Sequence, residues 1–135
     1  MGEEVAVTGT AEGESPDDRR SRGIAKMQEV YRFSVDPDEI PGEFVAMTVD
    51  HLFGTIWTRP GLEVPERRLL TIGVLAALGQ RALLEVQFKS ALENGELTED
   101  QVREIVVHLA HYVGWPLVTT VNEAAERSIA AQAKT

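Results

Sequence analysis

The sequence predicts an all-α fold of about six helices, and three observations carry that prediction. Apolar residues recur at helical spacing: Val102, Ile105, Val106, Leu109 and Val113 stand at i, i+3, i+4, i+7 and i+11. Helix start and stop signals divide the chain at Ser15-Pro16-Asp17-Asp18, Pro65-Glu66, Asn94-Gly95 and Thr98-Glu99-Asp100-Gln101. Strand signals are absent, and no repeat of fixed period appears. One domain is the natural reading of 135 residues.

Met1 to about Ser15 is rich in Gly, Glu, Thr and Ala, with little to bury, and reads as a disordered tail. The helical domain then runs over 16–135. Ser15 caps a first helix reaching from Arg19 to about Phe33, with Ile24, Met27, Val30 and Tyr31 as its apolar face and Arg20 and Arg22 in solvent. Asp36-Pro37 and Pro41-Gly42 mark a loop. Glu43 to about Thr58 forms a second helix, with Phe44, Val45, Thr48, Leu52, Phe53 and Ile56 towards the core. Arg59-Pro60-Gly61 is a tight loop.

Pro65 suits a first helical turn, and Glu66 places negative charge at the positive end of the helix dipole. Leu69 to Leu78 is apolar or small on nearly every face, so this helix is expected to be buried all round. In so small a domain, part of that cover is expected from another subunit. Gly79 ends it. A fourth helix runs from about Ala82 to Asn94 and closes at Gly95. Thr98 and Gln101 form a capping box for a fifth, which ends at about Val113 before Gly114 and Pro116. Leu117 to about Ala133 is the last, with Val118, Val121, Ala125 and Ile129 inward.

Composition excludes several functions. The chain has no cysteine, so a disulfide framework, a thiol nucleophile and a cysteine-ligated metal are ruled out. A net charge of −9 argues against nucleic acid, whose phosphates demand basic patches. Residues 1–23 lack an apolar run of signal-peptide length, and no apolar run is long enough to span a bilayer, so the expected location is cytoplasmic with no membrane partner.

Few side chains are suited to chemistry. On the fifth helix Glu104, His108 and His111 lie at i, i+4 and i+7 and share one face. That face either turns to a cleft, with an imidazole available for proton transfer, or is solvated with Glu104 paired to His108. Two histidines and a carboxylate three to four residues apart are weak grounds for a metal, and none is expected. His51 reads as a mid-helix core or interface histidine, or as a substrate contact. Trp57 and Arg59 sit at a helix end, where Arg59 either holds a carboxylate bidentately or serves a structural one. Tyr112 and Trp115 either wall an apolar pocket or simply pack. Glu66, Arg67 and Arg68 read first as caps and interface pairs. Glu85 and Gln87 are polar positions among Leu83, Leu84, Val86 and Phe88, and one of them points inward.

Several motifs stand in order: Glu66-Arg67-Arg68-Leu69-Leu70, then Ala91, Leu92, Asn94 and Gly95 as A-L-x-N-G. Thr98, Val102, Arg103 and Glu104 follow as T-x-x-x-V-R-E, and His108 to Pro116 as H-L-A-x-Y-x-G-W-P. Together with Leu52 to Leu62 upstream, they make about residues 42–125 resemble the carboxymuconolactone decarboxylase family. The resemblance implies an alkylhydroperoxidase-D-like helical fold, a trimeric or hexameric homo-oligomer with sites near subunit contacts, and a small-molecule substrate. It implies a cofactor-free lyase such as decarboxylates 4-carboxymuconolactone in aromatic-acid breakdown. That reaction needs an electron sink in the substrate, a cation for the carboxylate and an acid for the carbanion. Carried onto this chain, Arg59 would orient the carboxylate and His108 or His111 supply the proton, with His51, Trp57, Gln87, Tyr112 and Trp115 around the substrate.

Two departures follow from the same resemblance. Members commonly carry a histidine where this chain has Gln87, and glutamine cannot shuttle a proton at neutral pH. The sister group's C-x-x-C-x-x-x-H falls on Gln80, Leu83 and Gln87, so thiol peroxidase chemistry is excluded. The readings left are a decarboxylase-like lyase, a cyclase or isomerase of a biosynthetic pathway, and a non-catalytic ligand-binding oligomer. An enzyme predicts a closed pocket holding Arg59, Gln87 and His108 or His111; a binder predicts these side chains scattered, or facing solvent or subunit contacts.

Overall fold

A computed structural model describes residues 13–134. Six α-helices and no strand occur among them: α1 (Pro16–Tyr31), α2 (Glu43–Met47), α3 (Val64–Ala77), α4 (Arg81–Glu93), α5 (Glu99–Val113) and α6 (Trp115–Ala133). This is the all-α fold the sequence predicts. Most of the expected tail lies outside the described residues; Ser15 at its end caps α1, and Glu14 pairs with Arg22 at 2.7 Å. The helices form two compact units, one ending at Leu62 and one beginning at Glu63.

In the first unit, Ser15 and Asp18 form a reciprocal capping box, and Arg32, with φ of 67°, closes α1 in the left-handed conformation. The helix expected over Glu43–Thr58 changes character midway. After α2 it continues as a π-helix over Thr48–Ile56, with the Trp57 amide donating to Leu52 O at 2.9 Å. An i→i+5 ladder carries more residues per turn than an α-helix, so the inward row is Val49, Phe53 and Trp57. Phe44 and Leu52, expected in the core from α-helical spacing, are exposed instead. Tyr31, Phe53 and Trp57 form an edge-to-face and stacked aromatic series with Met27 and Val30 beside it in the core.

α1 approaches the π-helix closely. A Cβ on Gly23 would collide with the Val49 carbonyl, and one on Gly54 would lie 2.9 Å from Arg19 O. The two arginines expected in solvent are bound into this contact. Arg20 grips Asp50 with Nε–Oδ1 at 3.0 Å and Nη2–Oδ2 at 2.8 Å, and Arg22 Nε donates to Gly54 O at 2.8 Å. Donation from Arg20 is the main reason that the Asp50 carboxyl is held below its ordinary range.

The second unit has an apolar core of Ile72, Ala76, Leu84, Phe88, Val102, Val118, Val121, Ala125 and Ile129. Thr98 and Gln101 make the expected capping box, at 3.1 and 2.9 Å. Gly79 and Gly95, with φ of 67° and 73°, turn the chain after α3 and α4 in a region that favours glycine. α3 departs from its expectation of burial on every face. Arg68, Ile72 and Ala76 form its buried row, whereas Leu70, Val74 and Leu78 stand about 60% exposed at 62%, 58% and 64%.

Candidate active site

α3 and α5 of the second unit leave a groove of about 450 Å³ between them. Leu69, Ile72 and Gly73 from α3 and Ile105 and Leu109 from α5 line it with apolar surface, and Leu97 closes one end. Its polar members all come from α5: Gln101, Glu104 and His108, on successive turns. This spacing follows from the helix itself, since i, i+3 and i+7 fall on one side. Apolar walls with a few convergent polar groups are the usual make-up of a small-molecule site.

His108 is exposed, with the Tyr112 ring stacked on it at 5.0 Å and 30°. No ion pair joins Glu104 to His108 among the described residues, so the expected alternative of a closed Glu104–His108 pair is not what forms. The imidazole is therefore available to a ligand in the groove, and Glu104 adds a carboxylate one turn away.

His111 does not share this groove. It lines a smaller cleft of about 260 Å³ between α5 and α6, with Trp115, Thr119 and Asn122. Its Nδ1 lies 2.8 Å from Val107 O, which fits a donated Nδ1–H and leaves Nε2 as the free nitrogen. Trp115 meets the ring edge-on at 6.3 Å. The expected single polar face is thus split, because the 60° between the two histidines is enough to place them on opposite sides of the α5 ridge.

The remaining expected site residues go elsewhere. Gln87 is buried in the second unit, where its Oε1 accepts from Arg68 Nη1 at 3.0 Å. Trp57 is in the core of the first unit, stacked on Phe53. His51 is exposed on the π-helix rather than a core residue, and Arg59 is exposed at the end of the first unit. Tyr112 and Trp115 are largely exposed, each serving as partner to one histidine rather than as a pocket wall in common. No described group of three His, Asp or Glu side chains converges as metal ligands would.

Sequence reasoning missed the Arg68 cluster. Arg68 is 1% exposed and grips Glu96 with Nε–Oε1 at 2.7 Å and Nη2–Oε2 at 3.0 Å, while Asn94 Nδ2 donates to Glu96 Oε2 at 3.1 Å. The signal was in the sequence: Arg68 stands one turn before Ile72 and two before Ala76 on the same row. The cluster ties the start of α3 to the turn after α4, and the adjacent Leu69 and Leu97 both wall the groove.

Residues 42–127 match the family described as carboxymuconolactone decarboxylase. The chain is 36% identical over 74 residues to a 4-carboxymuconolactone decarboxylase of Acinetobacter baylyi, covering 55% of this chain and 54% of that protein. It is 41% identical over 78 residues to a nitrosuccinic acid decarboxylase of Metarhizium robertsii, covering 56% and 51%. The matches thus span about half the length of these relatives. No described helix is long and apolar enough to cross a membrane. With the family match running through both the helix before the groove and the groove's own walls, this chain belongs to the carboxymuconolactone decarboxylase family.

Proposed function

We propose that the protein is a cofactor-free decarboxylase acting on a small carboxylate-bearing compound in the α3–α5 groove. The observation that carries this reading is the groove itself: an apolar cleft of about 450 Å³ whose one imidazole, His108, has no carboxylate partner. Two relatives are named for decarboxylating small acids, a carboxylated lactone and a nitro-substituted dicarboxylic acid. Both substrates can absorb the negative charge left when CO2 departs, the first through its conjugated lactone and the second through its nitro group. The protein then has little covalent chemistry to perform. It must desolvate the carboxylate, hold it, and return a proton to the carbanion. The apolar walls favour spreading the carboxylate's localised charge into the substrate as CO2 leaves. His108 is the proton donor, and in its imidazolium form it is also the one cation the groove lining supplies.

The test is CO2 release from 4-carboxymuconolactone and from nitrosuccinic acid. His108→Ala is expected to lower turnover by about 10²–10⁴-fold, as loss of a general acid does. His111→Ala is expected to leave it nearly unchanged. Full turnover in His108→Ala would sink the assignment.

A second reading, a non-catalytic ligand binder, is favoured by Gln87, because the position where the resemblance expects a proton carrier is held in the core by Arg68. Saturable binding of either acid without turnover would select it.

We also infer a homo-oligomer seated on α3. Leu70, Val74 and Leu78 lie at i, i+4 and i+8 on one exposed stripe, and Leu69 and Gly73 of the groove wall fall between that stripe and the buried row. A partner on the stripe would border the groove mouth. Val74→Glu is expected to shift the sedimenting species towards monomer; an unchanged mass would remove α3 from the interface.

A further inference from the structure

The second unit has another concavity, lined by residues of α4 and α6 and their ends. It measures about 480 Å³ and is lined by Glu85 and Lys89 of α4, by Arg127, Ser128 and two alanines of α6, and by Lys134 just after α6. The alanines leave room where longer side chains would fill the space between the helices. The charge is unusual for this molecule. The chain carries −9 overall and has only three lysines, yet two of them lie here with an arginine.

The single acid of the lining is already satisfied. Glu85 Oε2 accepts from Arg81 Nη1 at 2.8 Å and from Arg127 Nε at 2.9 Å. Neither the Lys89 nor the Lys134 ammonium has an ion-pair or hydrogen-bond partner among the described residues. Two lysines therefore join Arg127, which shares Glu85 with Arg81, in a cleft of metabolite size, and the cations there outnumber the one carboxylate. Walls of low dielectric concentrate such a field and draw in anions. The chain's net charge of −9 works against nucleic acid and anionic membranes as the ligand.

We propose that the α4–α6 concavity binds a compact dianion, a dicarboxylate or a phosphate group, between Lys89, Arg127 and Lys134. The proposal is independent of the decarboxylase reading, since none of these residues lines the α3–α5 groove.

The test uses the full chain, titrated separately with succinate and with inorganic phosphate by calorimetry and by amide chemical shifts. Ionic strength is held constant with sodium chloride, because a chain of this net charge responds to any salt. At least one anion is expected to bind saturably, with shifts centred on Lys89 and Arg127. The Lys89→Gln/Lys134→Gln pair is expected to weaken binding at least about tenfold, and Lys→Arg at both positions to restore it. Both lysines are exposed, so neither variant threatens the core. Binding of succinate alone marks a dicarboxylate site and of phosphate alone a phosphate site. Saturation by neither anion, an affinity untouched by the glutamine pair, or shifts centred on His108 instead would overturn the proposal.

Discussion

Arg20 in the first unit and Arg68 in the second each hold a carboxylate through two parallel N–H···O bonds, and the bond lengths are nearly the same. Their surroundings differ. The Arg20 and Asp50 side chains are 28% and 23% exposed, whereas Arg68 and Glu96 are 1% and 9% exposed. Water screens the first pair, and the first unit gains its close helix contact from Gly23 and Gly54 as much as from charge. The second pair is buried, with Gln87 bonded to Arg68 and Asn94 to Glu96. The comparison teaches that bidentate geometry does not set the energetic role of an ion pair. Burial does, because a buried charge deprived of its partner has no water to turn to.

The largest expected effect comes from breaking the buried pair on one side. Arg68→Ala or Glu96→Ala should lower stability by about 3–5 kcal/mol in urea denaturation. Replacing both with apolar residues of similar volume should recover much of that loss, since no orphan charge remains. Equal losses in the single and double replacements would show that the cluster is held by packing rather than by charge.

Next in size is the glycine contact of the first unit. Gly23→Ala puts a methyl group against the Val49 carbonyl and should cost about 1–3 kcal/mol or more through overpacking. A neutral result would mean that α1 can slide, and that the Arg20–Asp50 pair fixes the contact instead.

The smallest effect is the pH dependence of the open pair. Bonding to Arg20 lowers the Asp50 pKa below its ordinary 3.8. A depressed carboxylate stabilises the fold above the unfolded pKa, and the contribution is lost as pH falls through the folded one. Asp50→Asn should therefore be less stable than wild type at neutral pH, and the gap should close as pH drops below about 3.8. The same gap should shrink in high salt, unlike that of the Arg68 variants. A gap independent of pH and salt would place Asp50 with the buried pair in kind.

The sequence by itself determined the helices. Caps at Ser15 and Thr98, stops at Gly79 and Gly95 and the stripe of α5 are local events, governed by backbone geometry and near-neighbour hydrogen bonds, and they appear where the residues put them. The π-helix was not legible, because an i→i+5 ladder is chosen by the packing of Val49, Phe53 and Trp57 against α1 and not by local propensity. The site was legible only in part. That Glu104 and His108 share a face follows from helical spacing, but the groove needs α3 to lie where it does. Tertiary structure alone sent His111 to a different cleft and withdrew Gln87 into the core. It also brought Arg68 to Glu96 across 28 residues of chain. Burial, and with it the strength of every charge, is a property of what surrounds a residue in space, which spacing along one helix cannot specify.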